Sequence, residues 1–92
     1  MIHMADLKAS EIIKYPSMAE KSVAAIESQN KLVFIVDNRA TKNEIKDAVE
    51  KQFSVKVEKV NVVTDRKNRK KAFVKLDKKF KAEQVATALG VV

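Results

Sequence analysis

The sequence predicts an α/β domain of the α+β type: a split β-α-β, plait-like unit with a mixed, mostly antiparallel sheet of three to four strands and helices on both faces. Three observations carry that expectation. Lys31 to Val63, KLVFIVDNRATKNEIKDAVEKQFSVKVEKVNVV, reads as strand, helix, strand. Leu32 to Val36 is apolar at every position, so both sides of that strand need cover, one helix for each. Finally, Thr64 to Lys71 joins a valine-rich run to an alternating one, the pattern of a hairpin.

Taken in order, Met1 to Ser10 lacks periodicity and is expected to be a flexible lead. Glu11 to Tyr15 predicts a short edge strand with Ile12 and Ile13 on opposite sides, ended by Pro16. Ser17 and Glu20 have the spacing of a capping box, which predicts a helix from just after the proline to about Ser28, burying Ala19, Val23 and Ile26. Asn30 is the expected helix exit. Leu32, Phe34 and Val36 then point one way and Val33 and Ile35 the other.

Asp37 to Ala40 connects to a second helix, opened by the capping box of Thr41 and Glu44 and striped by Ile45, Ala48, Val49 and Phe53. Val55 and Val57 share one parity and Val60 and Val62 the other, so a bulge near Glu58 and Lys59 is needed to keep all four on one face. Lys56, Lys59 and Asn61 are left for solvent or a ligand. In the returning strand, Ala72, Val74 and Leu76 alternate with Lys71, Phe73 and Lys75. Ala82, Val85, Ala86 and Leu89 make a last helix that Gly90, the one glycine, closes. The usual crossover hand places the Lys71 strand between those at Lys31 and Val55, antiparallel to both, with the Glu11 strand at an edge.

The 92 residues suffice for one domain with one core. There is no Cys, and the sole imidazole, His3, lies in the lead, so neither a thiolate site, a zinc site nor a Ser-His pair is expected. One glycine cannot build a phosphate-cradling loop. Asp37, Asp65 and Asp77 stand at strand ends, where Asp serves turns. The residues therefore predict no enzyme and no cofactor. With no spanning apolar run and no signal-peptide core, they predict an untargeted intracellular protein, without membrane insertion and without obligate homo-oligomerisation.

A net charge of +7 favours an anionic partner. The hairpin segment TDRKNRKK holds five cations against one anion: Arg66, Lys67, Arg69, Lys70 and Lys71 are candidates to grip a phosphate backbone, arginines as forks and lysines as point charges. Lys14, Tyr15, Lys21, Arg39, Lys42 and Lys46 form a second candidate set, and Lys75 joins Lys71 on the polar side of its strand. Tyr15 either stacks on a base or caps the sheet edge. Phe73 reads as partly buried under the first helix, with a stacking platform as the alternative. A protein-interaction adaptor, binding through the strand edges at Val60 to Thr64 or Ile12 to Tyr15, is the reading from another class.

From Ile12 onward the chain resembles the archaeal and eukaryotic branch of the large-subunit ribosomal protein family L-twenty-three. The likeness is carried by FIVDNRATKNEIKDAVEKQFSVKVEKVNVV, KKAFVKL and the closing ATALG, and by YPSMAEK, in which Pro16, Glu20 and Lys21 match the family signature. Ala19 stands where that signature has a hydroxyl, and Tyr15 where it has a basic residue. The resemblance implies a single domain over 1–92 that binds large-subunit ribosomal RNA early in assembly, through the basic hairpin and the loop before the second helix. It implies a place on cytoplasmic ribosomes beside the exit-tunnel mouth, next to the ribosomal protein of the twenty-nine family, and a docking face for the signal recognition particle. The hairpin is too short to extend into the tunnel as bacterial members do.

Overall fold

The computed structural model describes residues 9–90. A helical turn, α1 (Ala9–Ile12), leads into β1 (Ile13–Pro16), α2 (Glu20–Gln29), β2 (Lys31–Val36), α3 (Lys42–Phe53), β3 (Val57–Thr64), β4 (Lys70–Leu76) and α4 (Ala82–Leu89). The strands lie in the order β1-β2-β4-β3. Each neighbouring pair is antiparallel, so β2 and β3 run parallel with β4 between them, as the crossover hand predicts. Helices cover both faces, giving three layers.

The inner face is built by Leu32, Phe34 and Val36 of β2 and Ala72, Val74 and Leu76 of β4, against Ile45, Ala48 and Val49 of α3. The Phe53 ring stacks on Phe34 with centroids 5.6 Å apart. Val33 and Ile35 are also buried, on the opposite face, where α2 lies over β2. Every residue from Leu32 to Val36 is thereby shut from water, for the reason the sequence suggests. The parity change in β3 is real: Val57 faces Leu76 and the next pair is Lys59 with Lys75, so the strand gains one residue at Glu58.

Two expectations are corrected near the N-terminus. The edge strand is Ile13–Pro16 rather than Glu11 to Tyr15, because Ile12 closes the helical turn and its carbonyl accepts from the Asp37 amide at 2.8 Å. Alternation starts only at Ile13, and both isoleucines enter the core. Nor does Ser17 cap α2. Its amide donates to the Val33 carbonyl at 2.8 Å, which keeps it in the sheet pairing, and its hydroxyl meets that of Ser22 at 3.0 Å. The N-cap is Ala19, with no side-chain bond, and the buried positions of α2 are Ser22 and Ile26, while Ala19 is exposed and Val23 half-buried. The expected flexible lead over 1–8, with His3, lies outside the described residues, whereas Ala9 and Ser10 belong to α1.

The second capping box forms in full: Thr41 Oγ1 accepts from the Glu44 amide at 3.2 Å and Glu44 Oε1 from the Thr41 amide at 2.9 Å. Glu50, one turn before the end of α3, reaches across to accept from the Val57 amide at 2.9 Å and fixes the start of β3. At the far end Gly90 takes φ +78°, a left-handed cap that costs a residue with Cβ far more than glycine.

Asn30 does more than end α2. In the left-handed conformation at φ +53°, its side chain donates to the Phe80 carbonyl at 2.9 Å and the Leu76 carbonyl at 3.3 Å, and accepts from the Ala82 amide at 2.7 Å. One amide group thus ties together the end of α2, the end of β4 and the first turn of α4. It leaves the Ala82 amide satisfied at a helix start that has no side-chain cap of its own residue.

Candidate nucleic-acid interface

The row Ile13, Val36, Lys70 and Thr64 is the last of the sheet at one end. Two turns project beyond it, each organised by an aspartate that clamps an arginine. In the turn after β2, Asp37 Oδ1 accepts from the Arg39 amide at 2.8 Å and from Arg39 Nε at 2.9 Å, and Oδ2 from the second guanidinium nitrogen at 3.1 Å. The Arg39 side chain, then its amide, hold the Asp37 carboxyl down at about 2. Asp has the short acceptor a turn start needs, which is why it sits there. The Arg39 side chain stays about half exposed despite this clamp.

The hairpin turn repeats the device. The Asn68 amide donates to the Asp65 carbonyl at 3.1 Å and Asn68 adopts φ +61°, the three-residue hairpin loop with a left-handed residue before the returning strand. Asp65 Oδ1 accepts from the amides of Lys67 and Arg69, and Oδ2 from Arg69 Nε at 3.0 Å. These bonds, the Arg69 amide foremost, lower the Asp65 pKa, and Asp65 with the neighbouring Tyr15 hydroxyl raises that of Arg69. Arg66 and Lys67 stand at the tip, exposed, and neither side chain has an ion-pair partner among the described residues.

Lys70 locks the two turns together. Its ammonium donates to the Ala40 carbonyl at 2.6 Å, with the Asn38 carbonyl at 3.5 Å, so the first residue of β4 buttresses the turn that carries Arg39. Its charge therefore reaches an outside anion only past its own chain. Lys14 on β1 is exposed and close enough for its charge to favour the Asp37 carboxylate, and Tyr15, 47% exposed, lies beside Arg69. The end of the sheet thus gathers Lys14, Tyr15, Arg39, Arg66, Lys67 and Arg69 around the Lys70 strut.

The other candidate residues lie elsewhere. Lys21 is exposed on the second residue of α2, and Lys42 and Lys46 are exposed on the first two turns of α3. Lys71 and Lys75 are half-buried on the outer face of β4. There the cross-strand pairs reveal two companions: Lys75 faces Lys31 on one side and Lys59 on the other. Lys59 was open to either role on sequence grounds and Lys31 carried no signal, since strand-to-strand register is what aligns them. Among the described residues no cluster of three potential metal-binding side chains occurs, and no helix is long and apolar enough to cross a membrane.

Fold and charge define a small, basic α+β domain whose cations gather on two surfaces of one sheet. The chain belongs to a ribosomal protein family: the family described as Ribosomal protein L23 matches residues 11–71. Beyond Lys71 the likeness continues in whole-chain relatives. The large ribosomal subunit protein uL23 of Methanococcus aeolicus is 41% identical over 85 residues, covering 92% of this chain and 99% of the relative. That of Methanococcus vannielii is 40% identical over the same shares. The chain is a member of the archaeal branch, in a family that is structural and RNA-binding rather than catalytic.

Proposed function

We propose that this protein is a structural constituent of the large ribosomal subunit and that it grips large-subunit ribosomal RNA with the end of its sheet. Family membership supports the ribosomal role. One observation carries the choice of surface: the Lys70 strut makes the Arg39 turn and the Arg66–Arg69 hairpin a single rigid cationic edge. Arg66 and Lys67 at the tip, with the half-exposed Arg39, then supply phosphate contacts that position the domain without reading base sequence. Lys14 adds charge at that edge, and Lys21, Lys42, Lys46, Lys71 and Lys75 add it on other surfaces of the domain.

On this reading the protein works on cytoplasmic ribosomes, beside the nascent-chain exit, next to the ribosomal protein of the twenty-nine family. It offers the signal recognition particle and other exit-site factors a docking face on the surface that RNA leaves open. Chemical footprinting of large-subunit ribosomal RNA with and without the purified protein tests the RNA assignment. A compact protected patch that fades on R66Q/K67Q substitution is expected. No protection, or protection indifferent to that substitution, contradicts it.

The adaptor reading keeps one observation. β3 is an edge strand of eight residues with Val63 53% exposed, and unpaired edges invite β-augmentation. Binding to a protein partner by a chain that ignores RNA would favour it.

A further inference from the structure

The outer face of β3 and β4 has a composition that the sheet itself does not explain. Its rows run Lys31, Lys75 and Lys59; then Val33, Phe73 and Asn61; then Ile35, Lys71 and Val63, with Tyr15 continuing the last row onto β1. α2 covers the β2 end of these rows, where Val33 and Ile35 are buried. Lys59, Asn61 and Val63 stay exposed and Phe73 half-buried.

Three lysines directly opposite one another across three strands are a destabilising arrangement, because like charges in cross-strand pairs repel. Among the described residues none of these lysines is in an ion pair, and the one carboxylate beside the row is Glu58, the extra residue of the bulge. The ion pairs there are those of the two turns, and no carboxylate occupies a paired position on these rows. A row of this kind is relieved by an external anion. Phe73 sits two residues from Lys71 and two from Lys75, about 7 Å from each along the strand, so a flat apolar ring is bracketed by cations. Asn61 beside it offers both a donor and an acceptor.

The geometry points to a second RNA surface on this face, which takes a single-stranded segment with phosphates on Lys59, Lys71 and Lys75 and a base stacked on Phe73. The inference rests on the ribosomal-RNA reading and deepens it by assigning a kind of RNA to a surface away from the hairpin. An acidic peptide would satisfy the lysines but would leave the ring and Asn61 without a role. The row of Lys71, Ile35 and Tyr15 ends on β1, where the Tyr15 hydroxyl lies next to Arg69, so the two surfaces adjoin there.

The test uses the full chain and a labelled ten-nucleotide oligouridylate, which has no duplex to offer the hairpin, with affinity followed across a salt series. K59Q/K75Q is expected to lower the salt slope by about 1.4, at about 0.7 per single-strand phosphate contact. F73L, which keeps an apolar side chain but loses the aromatic plane, is expected to weaken binding about tenfold. K59Q/K75Q is also expected to melt higher than the unsubstituted protein, because the cationic row is relieved. Unchanged affinity and slope in both variants, or polyglutamate binding that competes equally and ignores F73L, overturns the inference. If in that case R66Q/K67Q still abolishes the ribosomal RNA footprint, the sheet-end assignment stands while this one falls.

Discussion

On β4, neighbours one residue apart have opposite fates. Ala72, Val74 and Leu76 are fully shut into the core, whereas Lys71, Phe73 and Lys75 look out over a face that, on the β3 side, none of the described helices covers. The pleat separates them and nothing else does. Stability is concentrated on the first face, since burial of apolar area is the dominant favourable term. The second face adds cross-strand repulsion and leaves an aromatic ring partly wet. That outer face is the one we propose meets RNA.

The largest effect expected on that contrast comes from the inner face. Phe34→Ala removes a side chain with no exposure and a stacking partner for Phe53, and should cost about 3–5 kcal/mol in urea unfolding. A loss below about 1 kcal/mol would mean the inner face is not the seat of stability. Next comes Asn30→Ala, which leaves the Ala82 amide and two carbonyls without their side-chain partner; about 1–3 kcal/mol is expected by the same measurement. Asn30→Gly should recover only the part due to the left-handed backbone.

Thr41→Ala takes away one half of the capping box and should cost about 1 kcal/mol, whereas Ser17→Ala, with the same sequence spacing, should not show a capping loss. The smallest effect is electrostatic. Asp37 has a folded pKa lowered to about 2, so its contribution is present in full above the unfolded value near 4 and is lost as pH falls from there toward 2. Urea midpoints between pH 5 and 2 should therefore fall less steeply in Asp37→Asn than in the unsubstituted protein. The difference is small because Arg39 is half exposed.

Much of the fold was legible because periodicity speaks directly about burial. The apolar run at Leu32 to Val36 called for a helix on each side, and the parity change between Val57 and Val60 called for a bulge. Ser17 and Thr41 show where such reading stops. Both stand three residues before a glutamate, yet only Thr41 caps a helix, because the Ser17 amide is taken by Val33 across the sheet. A local motif loses to a tertiary hydrogen bond that no local pattern announces.

The site was legible as composition and less so as geometry. Cations in the hairpin are plain in TDRKNRKK, but the pairing of Asp65 with Arg69 and of Lys70 with the Ala40 carbonyl depends on the closed turn and on the neighbour of β4. Those contacts turn equal-looking charges into unequal ones: Lys70 buttresses, Arg69 is half engaged, and Arg66 and Lys67 are free to meet a phosphate. Lys31 and Lys59 gained meaning only once register set them opposite Lys75.

Above all, we propose that the sheet end holds ribosomal RNA through its tip. Affinity for a large-subunit ribosomal RNA fragment, measured across a salt series for the unsubstituted protein and R66Q/K67Q, tests it most directly. Two lost phosphate contacts should lower the slope of log affinity against log salt by about two. Parallel lines with the same dissociation constants would contradict it.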